Sequence, residues 1–529
     1  MVDGGARTGP PVAADMDPRR VHAALSLLAD RRWRTLGELV RETGAPRRSV
    51  ESLLAGLSLE HTGGDRFRLT PEQGAEIAES LRTGYRPLDP ADPVGHLLPE
   101  YAAVVERVAG LIERAPRARH VLDHVSATPE TVVRRALLLG ARFWLPGTRL
   151  LCVGDHDLTS LAVGLVHPGV QTTVVDVDER ILAYIDERAA ELGLDVRTRW
   201  ADLRLGLPAS AVEYADLAVT DPPYTPEGVG LFVARAVQGL RDQGQGRVLL
   251  AYGASDRTPM LALKVQQALQ DLNLVSEAVY PDFNSYFGAE AIGSRADLYV
   301  LRPTGKSLPA AAARADRFAT AIYTQGPQAV EARTAEGASP DVAGLHPDVL
   351  VGDWRKQVLP QVPRVRLTTW LAKPYAARVR HAAVALPPGL ETALVRVLLA
   401  TRAEHVRVFL SEAPGDLADE AASLAAVYEL TRRGSAVEAV RTPSSTGDQT
   451  QRIVRAILDR AHGKVANVWR DALLDAHAGL TKRQARAIVA DAAPWARDVT
   501  LLELPLHRLR DLPTAVRASL DLVTAAPAG

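Results

Sequence analysis

Asp221-Pro222-Pro223-Tyr224 follows the run Leu217-Ala218-Val219-Thr220, which reads as a buried β-strand. Two successive prolines fix the backbone and supply no N–H donors, so carbonyl oxygens and the Asp221 carboxylate are left facing one amine. Tyr224 can cover that amine with its ring face. Earlier, Gly154-Asp155-His156-Asp157-Leu158-Thr159-Ser160 occupies the first strand-to-helix turn. Nucleotide and methyl-donor sites usually place several glycines there, because backbone must approach the ligand closely. This turn has the single glycine Gly154 and two acids, Asp155 and Asp157. Acids at that place repel a pyrophosphate or the carboxylate of S-adenosylmethionine, and attract a ligand with ammonium and sulfonium charges. Decarboxylated S-adenosylmethionine and polyamines are such ligands. The alternative is that Asp155 and Asp157 cap the following helix.

Asp176 ends the second strand about 20 residues after the turn, where an acid commonly binds ribose hydroxyls, with Asp178 as the competing choice. Asp202, in Trp200-Ala201-Asp202-Leu203-Arg204, is positioned to reach an adenine amine or to be a solvated loop acid. The chemistry implied is in-line displacement at a carbon beside sulfonium. An attacking amine of pKa about 10 must first lose a proton, at a cost of roughly 4 kcal/mol near neutral pH. Asp157 and Asp221 are the candidates to accept it or pass it to water. Expected catalytic residues are therefore Asp157, Asp221 and Tyr224. Gly154, Asp155, Asp176, Asp202 and Pro222 are expected to bind the cosubstrate.

These residues need a sheet to position them. The runs RLLCVGD, QTTVVDVD, ADLAVTDPPY and RVLLAYG alternate with helical segments after Leu158 and from Glu179 to Leu192, which predicts a Rossmann-like doubly wound parallel sheet. A final strand pair is expected at LVSEAVY and DLYVLRP, closing a catalytic domain over residues 86–303. Before it, Asp17-Pro18 opens a helix, Thr35 and Glu38 form a capping box, Gly44-Ala45-Pro46 breaks the chain, and two short strands meet at Gly63-Gly64. Residues 15–85 thus read as a winged helix. An Ala-, Gly- and Pro-rich linker is expected over 304–345. VRVFL, SAVEAV and their helices then predict a further α/β domain over 346–529. Its TPSSTGDQT loop is read as a capped turn in preference to an anion cradle.

At 529 residues the chain is long enough for two or three cores. The 62 basic and 63 acidic residues leave a net charge of -1, so no global field favours nucleic acid or an anionic membrane. The lone cysteine, Cys152, excludes an intrachain disulfide framework and a Cys-based zinc cluster and fits a reducing compartment. No membrane-spanning run and no secretory signal are recognised, so the cytoplasm is expected.

Several segments together resemble the branched-chain polyamine synthases, the N4-bis(aminopropyl)spermidine synthase family. They are LDHVSATPETVVRRALLL, GDHDLTS, VVDVDERIL, TDPPYTPEG and NSYFGAEAIGSRADLYVL, over residues 15–303. The resemblance implies transfer of aminopropyl groups from decarboxylated S-adenosylmethionine to an amine, with release of methylthioadenosine and no metal. It adds Asp123 to the acidic pocket with Asp155, Asp157, Asp221 and Tyr224, gives the ribose to Asp176, and draws attention to Tyr286, Gly288 and Asp297. Two positions depart from the family pattern. His156 stands where the turn typically has a third acid, and His124 where a glutamine-like residue follows Asp123. The expected partner is a small-molecule amine, nucleic acid is not expected, and a homodimer is left open. Two rivals remain: an S-adenosylmethionine-dependent amino-group methyltransferase, and a DNA-binding regulator that senses a polyamine or nucleoside.

Overall fold

The central apolar runs become neighbouring strands in a computed structural model, which describes residues 18–43, 47–81, 93–254, 259–288, 294–315, 321–325, 328–330, 345–411, 417–443 and 447–525. At the N-terminal end lie α1 (Pro18–Ala29), β1 (Arg34–Thr35), α2 (Leu36–Thr43), α3 (Arg47–Ala55), β2 (Leu59–Thr62), β3 (Arg66–Leu69) and α4 (Pro71–Ser80). The strands form a three-stranded antiparallel sheet in the order β1-β3-β2. Leu25, Leu28, Leu39, Val50, Leu53 and Leu69 fill the core beneath it. Thr35 and Glu38 satisfy each other's backbone amides as a capping box, at 2.7 and 3.3 Å. Asp17 and the break at Gly44-Ala45-Pro46 lie outside the described residues.

The central part contains α5 (Ala102–Arg114), α6 (Pro129–Arg142), β4 (Arg149–Val153), α7 (Thr159–Val166), β5 (Gln171–Asp176), α8 (Glu179–Leu192) and β6 (Val196–Trp200). It continues with β7 (Leu217–Thr220), α9 (Pro226–Gly239), β8 (Arg247–Tyr252), α10 (Pro259–Asp271), β9 (Val275–Ser285), β10 (Arg295–Arg302) and α11 (Ser307–Ala315). The seven strands lie in the order β6-β5-β4-β7-β8-β10-β9. The first five are parallel, and β10 and β9 close the edge antiparallel. Both faces are covered, which is why these strands are near-continuous apolar runs. Along β4, Leu150 and Cys152 enter one core, and Leu151 and Val153 enter the other. Because β4 lies between β5 and β7, the chain's winding reverses at its carboxyl end. That crevice is where open α/β sheets bind ligands.

Caps aim the helices away from this crevice. Thr128 and Thr225 each accept an amide at the start of α6 and α9, and Pro129 and Pro226 follow at the first helical position. Asp178 caps α8, and Gly193 ends it at φ 66°.

A second sheet contains β11 (Val349–Gly352), β12 (Arg364–Val365), β13 (His381–Ala385), β14 (His405–Phe409), β15 (Tyr428–Arg433) and β16 (Ala436–Arg441), in the order β12-β11-β13-β14-β16-β15. It is a mixed sheet and not a simple βαβα series. β16 runs antiparallel to β14, because β15 intervenes and turns back through Gly434 at φ 60°. Asp448 caps the helix Gln449–Leu458 by accepting the Gln451 amide. The protein is thus a mixed α/β structure with two mixed sheets. No helix among the described residues is long and apolar enough to cross a membrane.

The segment expected to be a linker is partly built onto the seven-stranded sheet's helices. α11 packs on α9, and Arg314 donates to the Pro226 carbonyl at 2.9 Å. The two sheets are joined by Arg396, which is 1% exposed, pairs with Glu179 of α8 at 2.7 Å, and lies 4.1 Å from the Trp200 ring. Glu179 also accepts the Leu506 amide at 2.7 Å. Replacing Arg396 with Ala strands this carboxylate, so we expect a loss of about 3–5 kcal/mol in denaturant unfolding. The partly exposed Arg508, which pairs with Asp186, should cost about 1 kcal/mol or less when replaced by Ala.

Candidate active site

The carboxyl ends of β4, β5 and β7 open into a cavity of about 460 Å³. Its walls are the 154–157 turn, the end of β5, residues 201–203, residues 221–224, the segment 120–125 before α6, Tyr286, and residues 322–325. All of the expected residues Asp123, Gly154, Asp155, Asp157, Asp176, Asp202, Asp221, Pro222 and Tyr224 therefore border one space. Asp178 is occupied elsewhere, with Arg180 and the start of α8. Asp297 sits in β10 and accepts the Asp282 amide at 3.0 Å. Gly288, at φ 137°, packs against Val125, and the rest of the expected late-loop motif, residues 289–293, lies outside the described residues.

Arg135 of α6 organises the centre and was not anticipated from the sequence. Its guanidinium is 2% exposed and donates to Asp157 at 3.0 Å, Asp221 at 2.6 Å, Asn284 at 2.8 Å and the Tyr286 hydroxyl at 3.2 Å. The second oxygen of Asp157 takes the Ala127 amide at 2.8 Å. Asp221 also accepts from Tyr286 at 2.7 Å and Tyr224 at 3.1 Å. Tyr224 therefore contributes its hydroxyl to Asp221, and its ring meets Tyr252 edge-on at 5.4 Å. Tyr286 is brought in by short strand pairing. Thr128 donates its amide to the Ser285 carbonyl at 2.9 Å, and Phe287 donates to Ser126 at 2.8 Å.

Burial alone would lower the Arg135 pKa, yet Asp221, Tyr286 and Asp157 hold it well above the ordinary value, so it stays charged. Burial pushes Asp221 up to about 6, against the pull of Arg135. Burial pushes Asp155 up to about 8, opposed by the Ser160 hydrogen bonds. Asp155 therefore keeps its proton at neutral pH, and its oxygens take the Ser160 amide at 3.1 and 3.4 Å. This is the helix-capping alternative, realised for Asp155 and not for Asp157. Asp176 is raised by burial, and its two oxygens take the amides of Asp155 at 3.0 Å and Asp178 at 2.8 Å.

The rim is set by contacts that the sequence did not advertise. Asp202 is paired with Arg204, which also bonds Gln328 and the Gly389 carbonyl. Asp123, at φ 55°, accepts the Thr324 amide and hydroxyl at 2.6 Å each, tying residues 322–325 over the cavity. His124 and His156 stack with ring centroids 4.3 Å apart and planes 18° from parallel. Burial, and then His156, lowers His124 to about 3, and burial also lowers His156, so both are neutral near pH 7. Gly154 has φ 75°, and an added Cβ would meet the Phe232 ring at 3.3 Å. The one signal for Arg135 was a charged residue repeated beside apolar neighbours in VVRRALLL, which periodicity alone assigns to a helix face.

Replacing Arg135 with Met leaves two buried carboxylates without their cation. We expect a stability loss of about 3–5 kcal/mol by denaturant titration. Adding Asp157→Asn to that variant should recover part of the loss, and a double mutant no more stable than the single would contradict the pairing.

Residues 103–304 match the family model described as the branched-chain polyamine synthase A C-terminal domain. An uncharacterized protein of Methanocaldococcus jannaschii is 36% identical over 206 residues, covering 39% of this chain and 51% of that protein. The N(4)-bis(aminopropyl)spermidine synthase of Thermus thermophilus is 32% identical over 226 residues, covering 41% of this chain and 63% of the synthase. This chain thus spans between half and two thirds of these curated relatives. A crystal structure of the Thermus thermophilus branched-chain polyamine synthase, in complex with N4-aminopropylspermidine and 5'-methylthioadenosine, aligns over 53% of this chain and 86% of that one, at 23% identity and TM-score 0.35. Residues 103–304 are thus similar to the branched-chain polyamine synthase A C-terminal domain, with distant homology to the N(4)-bis(aminopropyl)spermidine synthases.

Proposed function

We propose that this domain transfers an aminopropyl group from decarboxylated S-adenosylmethionine to an amine. The observation that carries the reading is the convergence of Asp221, Tyr224 and Tyr286 at one end of the switch-point cavity, with Asp176 lining its β5 wall. Asp176 would accept the ribose hydroxyls and Pro222 would lie beside the nucleoside. The acceptor amine would meet Asp221. As its nitrogen bonds to the propyl carbon, the carbon–sulfur bond breaks and its electron pair goes to sulfur, releasing methylthioadenosine. The amine proton passes to Asp221 or to water, and Asp157 positions the site by holding Arg135. The similarity to the branched-chain polyamine synthases, among them the N(4)-bis(aminopropyl)spermidine synthase of Thermus thermophilus, supports this reading.

One observation favours a second reading. Asp155 keeps its proton up to about pH 8 and caps α7, so it does not repel a donor carboxylate. Methyl transfer from S-adenosylmethionine to an amino group would use the same in-line geometry. We read residues 15–85 as a winged helix that packs against the enzyme, residues 86–303 as the catalytic domain, and residues 346–529 as an α/β domain of separate role. The reading places the reaction in the cytoplasm.

The test is chromatographic detection of methylthioadenosine from decarboxylated S-adenosylmethionine with a panel of amines. Release should depend on added amine, and Asp221→Asn should lower kcat by about 100-fold or more while the protein stays folded. Unchanged turnover would remove Asp221 from the mechanism. Asp221 is a carboxylate above about pH 6 and protonated below it, so kcat should fall as pH drops through about 6. A separate outcome concerns stability. The folded chain holds the Asp155 proton to about pH 8, whereas an unfolded chain releases it near about 4. Asp155 therefore stabilises the fold less as pH rises between those values, and Asp155→Asn should flatten the corresponding decline in Tm.

A further inference from the structure

Six carboxyl groups border the cavity, but few offer net charge to a ligand. Asp157 and Asp221 share the Arg135 cation, and Asp202 is paired with Arg204. Asp155 carries a proton at neutral pH. Asp123 spends both oxygens on Thr324. Asp176, among the described residues, takes its hydrogen bonds from backbone amides. The six acids thus face two internal cations and one bound proton. That leaves about three negative charges for a donor that already brings an ammonium and a sulfonium, so about one remains for the acceptor.

The surfaces beside these acids are apolar or neutral. His124 and His156 present a stacked aromatic pair to the cavity wall, alongside Leu122 and Val125. A second cavity of about 250 Å³ backs onto His156 and Asp157 and is bordered by Ile112, Ala115 and Pro116. Glu113 is its only other carboxylate among the described residues, and Arg117 borders the same space. Val121 and Phe287 flank the cavity-lining segments and are 50% and 64% exposed.

We infer that the acceptor is a primary amine bearing one positive charge on an apolar body, and that the stacked His124 and His156 pair sets this preference over polycations. The inference rests on the proposed amine alkylation, and names its substrate class. A longer polyamine would bring more ammonium groups than the charge left over by the donor, and would lay them along the neutral imidazole pair, which is costly in a desolvated site.

The experiment is calorimetric binding of hexylamine, diaminohexane and spermidine to the full chain saturated with decarboxylated sinefungin, a donor analogue that carries two ammonium groups and has no carbon–sulfur bond to break. Hexylamine and diaminohexane differ only by the terminal ammonium. Hexylamine should bind about tenfold more tightly than either of the others, and His156→Asp should narrow or reverse that order. Equal or tighter binding of diaminohexane or spermidine to the wild-type chain would overturn the inference, as would no binding of any of the three. Methylthioadenosine release, measured in parallel with decarboxylated S-adenosylmethionine, separates the two proposals. Transfer that is fastest to spermidine overturns the acceptor class and leaves aminopropyl transfer standing. Hexylamine preference in binding without any transfer does the reverse.

Discussion

One guanidinium fixes the geometry of the whole crevice. Arg135 comes from a helix that precedes the first strand of the large sheet, yet its hydrogen bonds reach the first turn, the end of β7 and the edge strand β9 with its continuation at Tyr286. Charges buried this deeply are tolerated only when their partners satisfy them, and here two carboxylates, two hydroxyls and an amide oxygen surround the cation. The carboxylates cannot separate without stranding it. The site is therefore preorganised by electrostatics, and the sheet's topology only decides where that happens.

That arrangement changes what the acids can do. A turn with Asp155 and Asp157 reads as strongly anionic, but one acid is turned inward to cap α7 and the other is neutralised by Arg135. Asp221 is left as the carboxylate with the most solvent access in this trio, with a 19% exposed side chain and a pKa near the range where proton transfer is useful. The neutral imidazole pair extends the same trend along the wall. Reactivity would be concentrated at one carboxylate and its two tyrosines, while the surrounding surface recognises shape more than charge.

Much of this was legible before any coordinates. Helix α8 lies at Glu179–Leu192 as the sequence pattern expects, and the structure shows Asp178 capping its start and Gly193 ending it. The strands of the large sheet announced themselves as apolar runs ending in acids, and their ends do converge. What was not legible depended on contacts distant in sequence. Arg135 looks like any helix arginine until its partners 22, 86 and 149 residues away are known. Residues 322–325 sit in a Pro- and Gly-punctuated stretch that composition assigns to a linker, and only the Asp123–Thr324 contact draws them over the cavity. Strand β15 was hidden because Tyr-Glu-Leu-Thr-Arg-Arg at a sheet edge is mostly polar, with Tyr428 alone fully buried.

The central claim is that the cavity takes a donor lacking a carboxylate and hands its aminopropyl group to an amine. Calorimetry of the purified chain with decarboxylated S-adenosylmethionine and with S-adenosylmethionine, each competed by methylthioadenosine, tests it most directly. The account predicts tighter binding of the decarboxylated donor and displacement by methylthioadenosine. Tighter binding of S-adenosylmethionine would contradict it and make the domain a methyl or carboxyl-retaining alkyl transferase.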